Sequence, residues 1–259
     1  MRNDTEAIKD GHGGVGGFGA QVEQCIVGTV VTCVFDTVGW IAMVLVNESD
    51  RGQGIATKLI QHALDFLDGR RIKTVRLDAT PLDQPVYEKL GFVAEYGITR
   101  FEGMVADTKT KETVSTIRPI AQWMAAAVQM DRYVTGTNRQ HVIELLVDEC
   151  PDAVCLLSDE NPQKHIRGFA VYRAGARAWQ LGPAAAIDDD AGRMLCDHVL
   201  GRLSGQLVLI DIPDANASAV DWAQSRRFTA QRHLMRMRRG NVLSDDPQMI
   251  WAGSGPEKG

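Results

Sequence analysis

The residues Arg51-Gly52-Gln53-Gly54-Ile55-Ala56 follow an apolar run, Trp40 to Val46, and open a stretch with apolar residues at Ile55, Leu59, Ala63, Phe66 and Leu67. That periodicity is helical. A glycine pair between a strand and a helix start is, on physical grounds, an anion site. Glycine lets the backbone approach a ligand closely. The first-turn N–H groups have no intrahelical acceptor and lie at the positive end of the helix dipole. A pyrophosphate can take several of those hydrogen bonds at once. No Gly-Lys-Ser/Thr step is present, so the loop is not a nucleotide P-loop.

Other motifs carry less. Gly11-His12-Gly13-Gly14-Val15-Gly16 matches Gly-x-Gly-x-x-Gly, with Asp36 downstream. No apolar strand precedes it and no helical pattern follows, so it reads as a flexible segment rather than a dinucleotide loop. The six histidines are scattered without metal-ligand spacing, and no metal is implied. No Gly-x-Ser-x-Gly elbow occurs. Cys150 and Cys155 flank Pro151 near a strand start and read as packing residues. Arg232 to Arg239 alternates with Leu234, Met235 and Met237, the pattern of a half-buried strand with a solvated basic face.

The elements that must position the loop follow from patterning. Cys25 to Phe35 reads as a strand, Asp36 to Gly39 as a turn, and Trp40 to Val46 as a strand covered on both faces. The helix after the glycine pair ends at Gly69. Ile72 to Leu77 is a strand, Pro85 to Leu90 a short helix, and Gly91-Phe92 starts another strand. Asp107 to Glu112 is polar and charged and marks a domain boundary. Beyond it, helices are expected over Ile120 to Met130 and Arg139 to Val147. Strands are expected over Ala153 to Leu157, Ile166 to Tyr172 and Ala176 to Leu181. A helix over Ala191 to Leu203, a strand over Gln206 to Ile212, a helix over Ala217 to Gln224 and a strand over Phe228 to Arg238 complete the chain. Both halves repeat strand, loop, helix, strand, short helix and a step ending in Phe. Leu77-Asp78-Ala79 to Gly91-Phe92 answers to Ile210-Asp211-Ile212 to Arg227-Phe228, a weak internal duplication.

With 259 residues, 44% hydrophobic and 24% charged, the chain suits one large or two ordinary soluble domains. A net charge of -5 gives no electrostatic footprint for nucleic acid or an anionic membrane. No apolar run approaches the ~18 residues that span a bilayer. Five cysteines without Cys-x-x-Cys spacing and a polar start suggest reduced thiols and a cytoplasmic location.

Trp40 to Phe92 resembles the GNAT superfamily of acyl-CoA N-acyltransferases. Its signature, Gln/Arg-x-x-Gly-x-Gly/Ala after a strand, is matched by Arg51 through Ala56. Its tyrosine shortly before Gly-Phe is matched by Pro85-Val86-Tyr87-Glu88-Lys89-Leu90-Gly91-Phe92. The resemblance implies an acetyl transfer from acetyl-CoA, as co-substrate, to a small-molecule or peptide amine. In that reading Arg51 and Gly52 belong to the loop, and the amides of Gln53, Gly54, Ile55, Ala56 and Thr57 hold the pyrophosphate. The backbone of Met43, Val44, Leu45 and Val46 pairs with the pantetheine arm where the strands splay, and Tyr87 protonates the departing thiolate. A phenol near ~10 can donate to a thiolate whose acid lies near ~8.5. Asp78, at the end of a strand, is a candidate base or binder of a cationic amine, or equally a cap for the turn before Pro81. Glu95 and Asp36 are weaker candidates.

Leu77 to Pro81, Leu181-Gly182-Pro183, Met235-Arg236-Met237 and Ala252 to Glu257 are similar to bacterial acetyltransferases with a second GNAT-like domain. The fold this implies is α/β. It has tandem GNAT-like domains, each a mixed, mostly antiparallel central sheet flanked by helices. A shortened catalytic domain would span 1–110, and a second domain lacking the pyrophosphate motif 113–259. Members usually carry a strand and one or two helices before Cys25, where this chain has only a polar, glycine-rich stretch. The second repeat reads Ile187-Asp188-Asp189-Asp190-Ala191-Gly192 at the loop and has no tyrosine before Phe228, so it is expected not to bind CoA in the usual way. A CoA-binding sensor or scaffold without transferase activity is the alternative. Acceptor identity, acyl length and oligomeric state, a dimer being one option, are not legible.

Overall fold

The computed structural model describes residues 5–11, 15–22, 25–106, 116–150, 152–157 and 165–255. The order begins β1 (Thr5–Gly11), β2 (Val15–Val22), β3 (Cys25–Phe35), β4 (Val38–Val46), α1 (Ile55–Gly69), β5 (Thr74–Ala79), α2 (Gln84–Lys89) and β6 (Val93–Met104). It continues with β7 (Ile117–Pro119), α3 (Met124–Thr135), α4 (Gln140–Glu149), β8 (Val154–Leu157), β9 (Ile166–Ala174) and β10 (Trp179–Ala186). Then come α5 (Asp189–Arg202), β11 (Leu207–Pro213), α6 (Ala217–Ser225), β12 (Thr229–Gly240) and β13 (Ile250–Ala252).

The chain forms two compact units that do not follow its linear order. Among the described residues, the first holds those up to Glu95 together with Met235–Val242, and the second those of Tyr96–Leu234 and Leu243–Gly255. The expected boundary at Asp107 to Glu112 lies outside the described residues.

In the first unit, β1 to β4 form an antiparallel meander. β4 pairs in parallel with β5, and β5 pairs antiparallel with Met235–Gly240 of β12. α1 covers one face. Its buried stripe Ile55, Leu59, Ile60, Ala63, Leu64 and Leu67 packs on Val30, Ile41, Val75, Leu77 and Met237. Burying each of its isoleucine and leucine side chains contributes roughly 1.5–3 kcal/mol.

The amino-terminal region departs from expectation. Gly11 ends β1, and Val15 and Gly16 open β2, so the described part of the segment read as flexible is strand, and Gly16 serves packing. A Cβ at Gly16 would lie 2.8 Å from the Phe66 ring and 2.8 Å from the Thr32 hydroxyl. Phe18 meets His62 and Phe66 edge-on at 4.6 and 5.0 Å. His12, Gly13 and Gly14 lie outside the described residues.

The second unit repeats the plan. β9 and β10 are antiparallel, β10 and β11 are parallel, and β11 pairs antiparallel with β6. α5 packs Ala191, Leu195, Cys196 and Val199 into a core with Ala170, Tyr172, Val208 and Ile210. Thus β6 follows α2 in sequence but has most of its length in the second unit. β12 follows α6 and has its last residues in the first. The strand expected over Ala176 to Leu181 is β10, which starts later, at Trp179. It runs to Ala186, since Gly182-Pro183 forms a bulge inside the strand. β5 starts two residues later than expected, because Arg71, at φ 59, and Ile72, whose N–H donates to Leu67 O, still belong to the turn ending α1.

Candidate active site

Gly52 and Gly54 both have φ 76, a left-handed conformation in which glycine alone is unstrained, and among the described residues no atom comes within 4 Å of a Cβ placed on either. Arg51 to Gly54 are exposed, and Arg51 Nε donates to Val46 O at 3.3 Å, tying the loop to the end of β4. Gly54 is the N-cap of α1, and no side chain caps that helix. The first-turn amides of a fifteen-residue helix therefore face outward without an intrahelical acceptor.

β4 and β5 are paired only over Val38↔Thr74, Gly39↔Val75 and Trp40↔Arg76, although β4 runs on to Val46. Among the described residues, no strand pairs with 41–46 on that side. On its other side β4 carries one extra residue between the pairs Val31↔Ala42 and Thr29↔Leu45. The bulge places Met43 at φ 52, unusual for a non-glycine residue, and Thr29 Oγ1 donates to its carbonyl at 3.1 Å. Met43 and Leu45 are exposed, and Val44 and Val46 partly so. The four residues form an open backbone edge leading to the glycine loop.

Tyr87 is 6% exposed on α2 and meets Phe92 edge-on at 5.8 Å. Burial, reinforced by the Asp83 carboxylate, pushes its phenol above the ordinary tyrosine range. The phenol is thus held protonated.

Asp78 is not a spare carboxylate. Arg236 grips it bidentately, Nε to Oδ1 at 2.9 Å and Nη2 to Oδ2 at 3.0 Å, both side chains being nearly buried. Arg236 also lies over the Trp40 ring at 4.8 Å. Glu95 stands 2.7 Å from Arg76 and 3.0 Å from Arg238. Three arginines of β12, expected to be solvated, thus turn toward carboxylates, since Arg239 also reaches Asp68 at 3.2 Å, while Arg232 is exposed.

The second unit holds counterparts of each feature, differently finished. Arg100 grips Asp211 bidentately at 2.6 and 2.7 Å, the relation of Arg236 to Asp78. β10 parts from β11 after Leu181↔Ile210. The freed edge is taken by β13, through Ala184↔Ala252 and Ala185↔Ile250, and Gly253 N–H donates to Asp211 O at 2.7 Å. Trp251 fills the space beside the first turn of α5, where a Cβ on Gly192 would fall 1.9 Å from its ring. The start of α5 is capped. Asp188 accepts from Ala191 N–H at 2.8 Å and pairs with Arg167 at 2.8 Å. Phe228 N–H donates to Ala223 O as Phe92 N–H donates to Tyr87 O, so Ala223 stands where the first unit has its tyrosine.

Cys150 and Cys155 are buried, and burial pushes the Cys155 thiol up to about 12, as suits packing residues. Among the described residues, no group of three or more His, Cys, Asp or Glu is placed to hold a metal, and no helix is long and apolar enough to cross a membrane.

Comparison with known proteins matches this geometry to one class. The acetyltransferase (GNAT) family model matches residues 2–92, and an acetyltransferase (GNAT) domain model matches residues 127–252. The chain belongs to the GNAT acetyltransferase family, a class of acyltransferases, and carries two such domains in tandem. It is 43% identical over 58 residues to N-alpha-acetyltransferase 30 of Schizosaccharomyces pombe, a match spanning 21% of this chain and 38% of that relative. The fold is shared with a structure assigned as an acetyltransferase from Pyrococcus horikoshii. That match has a TM-score of 0.78 and 21% identity, over 94% of this chain and 80% of that one. It is shared too with a tandem GNAT protein from the clavulanic acid biosynthesis pathway, at TM-score 0.60 and 12% identity, over 90% and 84% of the two chains.

Proposed function

We propose that the chain is an N-acetyltransferase that moves an acetyl group from acetyl-CoA directly to an amine, and that the first unit does this alone. The observation that carries the reading is the open edge of β4 ending at an uncapped helix start. A pantetheine arm can hydrogen-bond along Met43, Val44, Leu45 and Val46 as a strand would. A pyrophosphate can then sit on the amides of Gln53, Gly54, Ile55, Ala56 and Thr57, within the loop begun by Arg51 and Gly52. The residues fit acetyl-CoA, since the loop offers donors, lacks carboxylates and lets a ligand reach the backbone.

In the reaction the amine nitrogen attacks the thioester carbonyl. A C–N bond forms, the C–S bond breaks, and the sulfur leaves as thiolate. Tyr87 donates to that sulfur. Its raised pKa makes full transfer to a thiolate uphill in isolation, so the phenol first stabilises charge as it builds. The proton lost by the amine restores the phenol. Asp78, held by Arg236, is left with a structural role, since its twin Asp211 makes the same pair in a unit without an open loop. Holding both substrates in one place supplies the rest of the rate gain.

The test is steady-state thiol release from acetyl-CoA across a panel of small amines, amino acids and peptide amino termini. Acceptor-dependent release is expected. Tight acetyl-CoA binding with no release on any amine would replace this reading with that of a CoA-binding protein.

A further inference from the structure

The bulge of β4 is built around a strained residue, and the molecule contains its unstrained counterpart. Each unit inserts one extra residue into the strand that precedes the helix, at Met43-Val44 in β4 and at Gly182-Pro183 in β10. The first bulge residue has positive φ in both, 52 for Met43 and 131 for Gly182. Glycine takes such angles freely, whereas a side chain there is disfavoured and persists only when its surroundings hold it. The neighbouring strand shows what holds it. The residue paired just beyond the bulge is Thr29, opposite Leu45, in the first unit and Ala170, opposite Ala184, in the second. Thr29 donates its hydroxyl to the Met43 carbonyl at 3.1 Å, and Ala170 has no hydroxyl to give. The hydroxyl stands beside the strained bulge and is absent beside the glycine bulge.

We propose that Thr29 is a positioning residue for acetyl-CoA. By holding the Met43 carbonyl toward β3 it keeps the peptide groups from Met43 to Val46 aimed at the open side of β4. The inference rests on the reading that this edge binds the pantetheine arm, and it adds a residue that does not itself touch the ligand. Packing supports a fixed geometry. A Cβ on Gly28, next to Thr29, would come within 2.9 Å of the Leu45 carbonyl, so the two strands are closely apposed just past the bulge.

The test compares Thr29→Val, which keeps shape and β preference but removes the donor, with Thr29→Ser, which keeps the donor. In the protein without ligand, amide hydrogen exchange at Met43, Val44 and Leu45 should quicken in Thr29→Val and stay near wild type in Thr29→Ser. The KM for acetyl-CoA should rise about fivefold in Thr29→Val, the order that one net hydrogen bond is worth, with kcat at saturation kept and Thr29→Ser within about twofold of wild type. In a Met43→Gly background, Thr29→Val should cost less, as glycine needs no anchor. Unchanged exchange in Thr29→Val overturns the anchor whatever the ligand. Quickened exchange with an unchanged KM, in an enzyme that turns over acetyl-CoA, overturns its role in binding. Equal impairment by Thr29→Val and Thr29→Ser, or an undiminished Thr29→Val effect in the Met43→Gly background, assigns Thr29 to general packing. An anchor confirmed by exchange in a wild-type protein that ignores acetyl-CoA would instead sink the reading of the edge.

Discussion

The two units share one plan and finish it in opposite ways. Each has a bulged strand that parts from its parallel neighbour, a helix at the parting, and an Asp gripped by an Arg at the end of the next strand. In the first unit no strand among the described residues takes the parted edge, the N-cap of the helix is a glycine with no side chain to give, and a tyrosine precedes Phe92. In the second, β13 occupies the edge, Asp188 caps the helix, and Ala223 replaces the tyrosine. What the units have in common is therefore architecture, and what only the first has is a candidate for chemistry. The comparison also shows what an opened edge of this kind accepts, since in the second unit it holds an extended backbone segment.

The shared ion pairs offer the largest effect. Asp78→Asn and Asp211→Asn should each cost about 3 kcal/mol of stability, because each leaves a nearly buried arginine without its carboxylate. Thermal unfolding measures this, and kcat per folded molecule should fall by no more in the first variant than in the second. A hundredfold loss confined to Asp78→Asn would give that residue back a part in proton transfer.

Next comes Tyr87→Phe, which should lower kcat roughly a hundredfold while leaving acetyl-CoA affinity nearly unchanged, as expected for a lost proton donor. Single-turnover rates decide it, and an unaltered chemical step removes Tyr87 from the mechanism. The loop is a smaller lever. Gly54→Val, placing a branched side chain at φ 76, should weaken acetyl-CoA binding about tenfold by reshaping the pyrophosphate cradle. The second unit offers the contrast, since Gly192→Ala should destabilise through its clash with Trp251 yet leave affinity alone.

The smallest effect concerns the closed helix start. Burial alone would raise the Asp188 pKa, but the Arg167 hydrogen bond and the Ala191 amide outweigh it and hold the carboxyl below its usual value. A depressed carboxylate stabilises above its unfolded pKa of ~3.9 and loses that contribution as pH falls through the folded value. Asp188→Ala should therefore cost about 1 kcal/mol at neutral pH, allowing for solvent screening, and match wild type in acid. Denaturant unfolding at several pH values would show the convergence.

Much of this was legible in the residues. The stripe of α1 and the glycine pair announced a helix start without a cap, and Tyr87 before Gly91-Phe92 is a local pattern. The missing parts depend on distant partners. Asp78 meets an arginine 158 positions away, and a three-residue strand such as β13 has no pattern of its own. The Met43 bulge leaves no trace in composition, because a positive φ at methionine is imposed by tertiary context. Gly11 to Gly16 reads as flexible, since glycine marks loops as readily as tightly packed strands.

The central claim, one open unit and one closed, is tested most directly by calorimetric titration of the intact chain with acetyl-CoA, beside the same titration of Gly54→Val. One site per chain, weakened in the variant, is the expected result. Two sites, or one site that the variant leaves untouched, would contradict it.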